Sequence, residues 1–182
     1  LQSVVDRQAA LIAQWMQFGF IHGVMNTDNM SIAGEIIDYG PCAFMDVFNH
    51  NQVFSSIDRD GRYAYSNQPS ICLWYLTSLA ESLLTLIADD TDEAIKLAEG
   101  VLETYIETYE RHWLTGMRAK SGLTANDAND IEDKTLIEEL LNIMEVGMAD
   151  FTLTFYYLSQ LALKPETQSS AQDSELRALF SN

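Results

Sequence analysis

Basic residues are scarce in this chain. Ten Lys and Arg stand against 27 Asp and Glu, a formal net charge of −17. A nucleic-acid binder needs a cationic face to neutralise phosphates, and an anionic bilayer repels so acidic a surface. Neither nucleic acid nor membrane is expected as a partner. Most of the acid reads as solubilising charge on exposed helix faces. Cysteine is nearly absent too: Cys42 and Cys72 form no C-x-x-C pair. With no signal peptide read at the start, two reduced and buried thiols in an intracellular protein are expected. No apolar run approaches the roughly 20 residues needed to cross a bilayer. What is present is 47% hydrophobic content in 182 residues, enough for one domain with a core.

The apolar spacing of Val4, Val5, Leu11, Ile12, Trp15 and Met16 predicts a helix to about Phe18, stopped by Gly19. It begins almost at Leu1 with no cap ahead of it, which reads as a cut boundary. A polar turn, His22–Asn29, follows. Met30–Ala33 and Glu35–Ile37 read as two short strands of a hairpin around Gly34. Gly40–Gln68 is a long irregular segment, and Pro69 opens the next helix at a first-turn position. Asp90 with Glu93 resembles a capping box at the start of one long helix to about Met117. Ser121–Asp133 reads as a solvated loop holding Asn126, Asp127, Asn129, Asp130, Glu132 and Asp133. Helices are expected over Lys134–Val146 and Asp150–Leu163, then a polar tail from Pro165 with one weak final turn.

The chemistry concentrates in His22–Gly40, HGVMNTDNMSIAGEIIDYG. Protein kinases carry H-R-D-L-x-x-x-N and then D-F-G. With His22 on the kinase His, Asn29 falls on the kinase Asn and Asp38-Tyr39-Gly40 reads as D-F-G. The kinase catalytic Asp falls on Val24, which cannot accept a proton. Asp28, beside Asn29, is the nearest acid left to act as base. Asn29 and Asp38 offer the amide and carboxylate oxygens that Mg²⁺ or Mn²⁺ prefer, and phosphoryl or nucleotidyl transfer needs little else from a protein. N-T-D-N alone reads as an ordinary side-chain-stabilised turn before it reads as a catalytic element; the joined pattern is much rarer. His22 is expected to hold the loop, and His50 and His112 to be non-catalytic. Asp58-Arg59-Asp60-Gly61 lacks the acids of a calcium loop at Ser56 and Asn67 and reads as a glycine turn. Tyr105, Tyr109 and Trp113 share one helix face and read as packing.

The strings H-G-V-M-N-T-D-N-M-S-I, I-D-Y-G-P and G-R-Y-A-Y-S-N-Q-P resemble the SelO (selenoprotein O, YdiU-type) family. The similarity is strong from about Gly19 to Leu86. It continues more weakly through G-L-T at Gly122 and through Ala149-Asp150-Phe151-Thr152. The resemblance implies a mainly α, protein-kinase-like C-lobe with a short β-hairpin beside the catalytic loop, a fragment of an α+β kinase-like fold. Residues 1–164 would be that lobe, with catalytic loop 22–29, D-Y-G 38–40 and an activation-segment-like stretch 40–68; 165–182 would be the tail.

The implied activity is that of a pseudokinase-like protein adenylyltransferase. It moves AMP from ATP to Ser, Thr or Tyr hydroxyls of protein substrates with Mg²⁺ or Mn²⁺. Asp28 would be the proton acceptor, Asn29 and Asp38 the metal ligands, and Asp38 would also face the ATP phosphates. Family members are longer and begin with an N-lobe that binds the nucleotide, so this C-lobe piece is expected to turn over little alone. A cytoplasmic setting is expected if the chain is bacterial, a mitochondrial one if eukaryotic. A kinase and a non-catalytic acidic helical scaffold are the competing readings.

Overall fold

A computed structural model describes residues 1–123, 129–162 and 170–180. Within them the fold is mainly helical. Its elements are α1 (Gln2–Phe18), β1 (Phe20–Ile21), β2 (Ala43–Phe44), α2 (Gln68–Ile87), α3 (Thr91–Leu102), α4 (Thr104–Ser121), α5 (Asp130–Val146), α6 (Phe151–Ala162) and α7 (Ser170–Leu179). A 3₁₀ turn, Tyr65–Asn67, leads into α2.

The core forms around α1, which packs on both α2 and α4. Val5, Ala9, Ile12, Trp15 and Met16 are buried along one of its faces, as the spacing predicts, and Val4 and Leu11 line its margin. Each such large apolar side chain contributes about 1.5–3 kcal/mol on burial. Gly19 ends α1 in the left-handed conformation, φ 67°. A Cβ there would also stand 2.9 Å from the Phe151 ring, so no other residue fits without displacing the start of α6.

The expected hairpin of Met30–Ala33 with Glu35–Ile37 is a single antiparallel bridge, Met30 to Ile36. The reason lies in α1. Gln8 Nε2 donates to the Ser31 carbonyl at 2.6 Å and Arg7 Nε to the Ile32 carbonyl at 3.2 Å. Helix side chains thus take carbonyls that a ladder would use. The sheet forms elsewhere, between β1 and β2, antiparallel with Phe20 opposite Phe44 and Ile21 opposite Ala43. These two strands bracket the whole polar excursion from His22 to Cys42 and fix its two ends side by side.

Pro69 does sit in the first turn of α2, and Asp90 Oδ1 does accept the Glu93 N–H at 2.9 Å. The long helix expected from there breaks at Glu103. No proline marks the break; it lets α3 lie on α2 while α4 turns to lie on α1. Asp130 and Asp133 are not free loop acids: they begin α5, capped by Asn129, and bind Arg118 at 2.7 and 2.6 Å. Asn126 and Asp127 lie outside the described residues. The tail holds a ten-residue helix, α7, packed on α6, where a single turn is expected.

The expectation of no bilayer-length apolar stretch does not hold for α2 with the turn before it. Tyr65–Ile87 is long and apolar enough by length and composition, its most apolar 18-residue window having a mean hydropathy of 1.5. In this fold α2 packs between α1 and α3, with Cys72, Tyr75, Leu76 and Ala80 facing the core. Cys72 is buried, which pushes its thiol up to about 12, while Cys42 is only half-buried; both are free. Tyr105 is fully buried and stacks on Tyr109, so that aromatic face is packing.

Candidate active site

The polar loop leaves β1 at His22, and His22 is its internal anchor. The ring is fully buried and stacks on Trp15, centroids 5.3 Å apart. Its Nδ1 faces the Val24 N–H at 3.4 Å, and its Nε2 has no partner among the described residues. Burial holds the His22 pKa below its usual value, and the nearby Asp38 carboxylate opposes that shift. The imidazole is therefore neutral near pH 7. Its role is the structural one expected from the sequence.

Val24, the residue that breaks the kinase pattern, supplies its backbone instead. Its carbonyl accepts from Asn29 Nδ2 at 3.1 Å. Engaging the NH₂ group orients the amide and leaves Asn29 Oδ1 open for a cation. Asn29 N–H also donates to the Asn26 carbonyl, closing the turn. Asp28 lies exposed on this turn. On the far side of the excursion, Asp38 Oδ1 accepts the Gly40 N–H at 2.9 Å, leaving Oδ2 open. Gly23, at φ 80°, brings the two sides together, since a Cβ there would stand 3.0 Å from Pro41. Asn29 is thus tied through Val24 to the His22 ring, and Asp38 lies close enough to act on the charge of that ring. Amide and carboxylate oxygens are the donor types a hard divalent ion takes, while among the described residues no group of three or more His, Cys, Asp or Glu is placed to hold a metal ion.

Sequence reasoning gave Gln68 no role. This fully buried residue reaches back from the first turn of α2 to β1. Its Oε1 accepts the His22 N–H at 3.0 Å and its Nε2 donates to the Phe20 carbonyl at 2.9 Å. A side chain thereby acts as the third strand at the open edge of the sheet. The string N-Q-P carried the signal, but nothing local pointed 46 residues back. Tyr63 was also missed: its hydroxyl donates to Asn26 Oδ1 at 2.5 Å, tying the irregular segment to the polar loop.

That segment is ordered by local bonds. Asp58 accepts the N–H groups of Arg62 and Tyr63 around Gly61, the glycine turn expected there. His50 is not solitary: its Nδ1 lies 3.0 Å from Glu145 Oε2, fixing the segment to α5. Asp150 caps α6 by accepting the Leu153 N–H, and Phe48 and Phe151 bond across to the same junction.

Along most of its length this chain is similar to known proteins of one family. It is 60% identical over 159 residues to the protein nucleotidyltransferase YdiU of Halalkalibacterium halodurans, across 87% of this chain and 32% of that relative. It is 53% identical over 170 residues to that of Rhizobium rhizogenes, across 93% and 33%. The profile of the family described as protein adenylyltransferase SelO matches residues 1–179, and the chain belongs to that family. It spans about a third of the length of the curated relatives it matches.

Proposed function

We propose that this chain is the metal-and-base half of a protein adenylyltransferase, with the arrangement of a kinase C-lobe over residues 1–164. The full-length protein would transfer AMP from ATP to Ser, Thr or Tyr hydroxyls of other proteins. The observation that carries the reading is the bond from Asn29 Nδ2 to the Val24 carbonyl. It turns the kinase-breaking Val24 into a support for the amide, so the loop retains a working donor set without the usual acid.

Asn29 Oδ1 and Asp38 Oδ2 would hold Mg²⁺ or Mn²⁺, which supplies charge neutralisation at the phosphates when bound. Asp38 would also face the ATP phosphates. Asp28, exposed on the turn, would take the proton as the acceptor hydroxyl oxygen attacks the α-phosphorus. The new O–P bond forms as the bond to pyrophosphate breaks, and the proton passes to Asp28. The chain by itself would bind nucleotide weakly and turn over little. A bacterial host would place the protein in the cytoplasm, a eukaryotic one in mitochondria.

The test is transfer of label from α-phosphate-labelled ATP to protein by the full-length polypeptide, with the product weighed by mass spectrometry. Added AMP supports the proposal, and added phosphate makes the protein a kinase. Asp38→Ala should impair metal-dependent ATP binding, whereas Asp28→Ala should spare binding and lose rate. Indifference to both changes would leave an acidic scaffold.

A further inference from the structure

Arg62 has no part in the chemistry above, yet its surroundings are built. Both oxygens of Asp58 are taken by backbone N–H groups, those of Arg62 and Tyr63, each at 2.8 Å. Gly61 turns the chain at φ 67°, and Asn67 Nδ2 holds the Gly61 carbonyl at 2.8 Å. The backbone beneath Arg62 is therefore fixed. Its guanidinium lies 4.6 Å over the Trp74 ring of α2 and 5.7 Å from the Tyr63 ring. No described carboxylate lies within ion-pair distance of it. In a chain with 27 acids and ten bases, an exposed and rigidly mounted arginine without an acidic partner is a position held open. The next residue, Tyr63, bonds to Asn26, two positions before Asp28.

We propose that Arg62 selects the acceptor protein by binding an Asp or Glu carboxylate that flanks the hydroxyl to be modified. The inference rests on the adenylyl-transfer reading of the Asp28 site. A guanidinium stacked on tryptophan keeps its planar N–H edge free, and that edge matches a carboxylate in a bidentate pair. Stacking also orders the side chain in advance, which reduces the entropy lost on binding. The net negative surface repels acidic segments, and a cation mounted next to the Tyr63–Asn26 tether lowers that repulsion there. A terminal phosphate of the nucleotide offers the same anionic chemistry, and the test separates the two sources.

Two fluorescent synthetic peptides are needed, each with one Ser flanked by Asp or by Lys. Binding to the full-length protein is read by anisotropy without nucleotide, and transfer is read with α-phosphate-labelled ATP. The unaltered protein should bind the Asp peptide about two- to fivefold more tightly, the scale of one exposed ion pair, and kcat/KM should follow. Arg62→Glu should invert the preference and Arg62→Gln should abolish it, with unchanged circular dichroism in each. A preference that survives Arg62→Glu, or none in the unaltered protein, overturns the proposal. So does a raised KM for ATP with the peptide preference intact, which would assign Arg62 to the nucleotide. An Arg62-dependent binding preference with no label reaching either peptide would support the anion site and count against adenylyl transfer instead.

Discussion

The Gln68 carboxamide accepts the His22 N–H at 3.0 Å while the same group donates to the Phe20 carbonyl at 2.9 Å. The entrance of the candidate catalytic loop therefore depends on a side chain from the start of α2. Strand β1 has a backbone partner on one edge only, and Gln68 satisfies the other.

Gln68→Ala leaves a buried N–H and a buried carbonyl without partners. Each such group costs about 1–3 kcal/mol, so a loss of roughly 2–6 kcal/mol is expected in urea unfolding. Gln68→Glu keeps the acceptor and removes the donor. It should be destabilising near pH 7, where a buried carboxylate faces the Phe20 carbonyl, and less so in acid, where the carboxyl can donate.

Gly19→Ala meets two penalties together. The left-handed backbone at φ 67° disfavours a Cβ by about 1 kcal/mol. The new methyl would also stand 2.9 Å from the Phe151 ring. A fall of at least about 2 kcal/mol in thermal or chemical unfolding is expected. Gly122→Ala provides the comparison, since Gly122 is left-handed too but has nothing among the described residues within 4 Å of the added atom. It should show the backbone penalty alone.

The burial of His22 makes stability depend on pH. Its folded pKa lies below the usual 6.5. Above that value the ring is neutral in both folded and unfolded chains, and its contribution is fully present. As pH falls through 6.5, the unfolded chain takes up the proton first, and stability is lost until the folded pKa is reached. Denaturant midpoints measured between pH 8 and 5 should fall with acid, and His22→Gln should flatten the dependence. A fall of equal size in the variant would assign it to other groups.

Tyr63→Phe removes the bond to Asn26 and leaves the ring in place. Because the contact is exposed, global stability should change by only about 0.5–1.5 kcal/mol. Hydrogen exchange should rise selectively at residues 26–29 and in the Asp58–Tyr65 turn. Uniformly faster exchange would make the tether a general stabiliser instead.

Much of this molecule can be read from local pattern. The 3.6-residue spacing of Val5, Ile12, Trp15 and Met16 defines α1, Gly19 ends it, Pro69 and Asp90 mark helix starts, and H-G-x5-N with D-Y-G singles out the candidate site. Such features act within a few residues, so sequence suffices. Other features were settled by partners distant in the chain. Arg7 and Gln8 of α1 took the carbonyls of the expected hairpin. The split at Glu103 followed from where α3 and α4 had to pack, and Arg118 drew Asp130 and Asp133 out of a free loop. The site divides the same way. Composition and spacing nominate Asp28, Asn29 and Asp38. That Val24 orients Asn29, that Gln68 clamps His22 and that Arg62 stacks on Trp74 depends on side chains meeting across 5 to 46 residues. Hydrogen bonding and packing at that range depend on the folded geometry, which no local periodicity encodes.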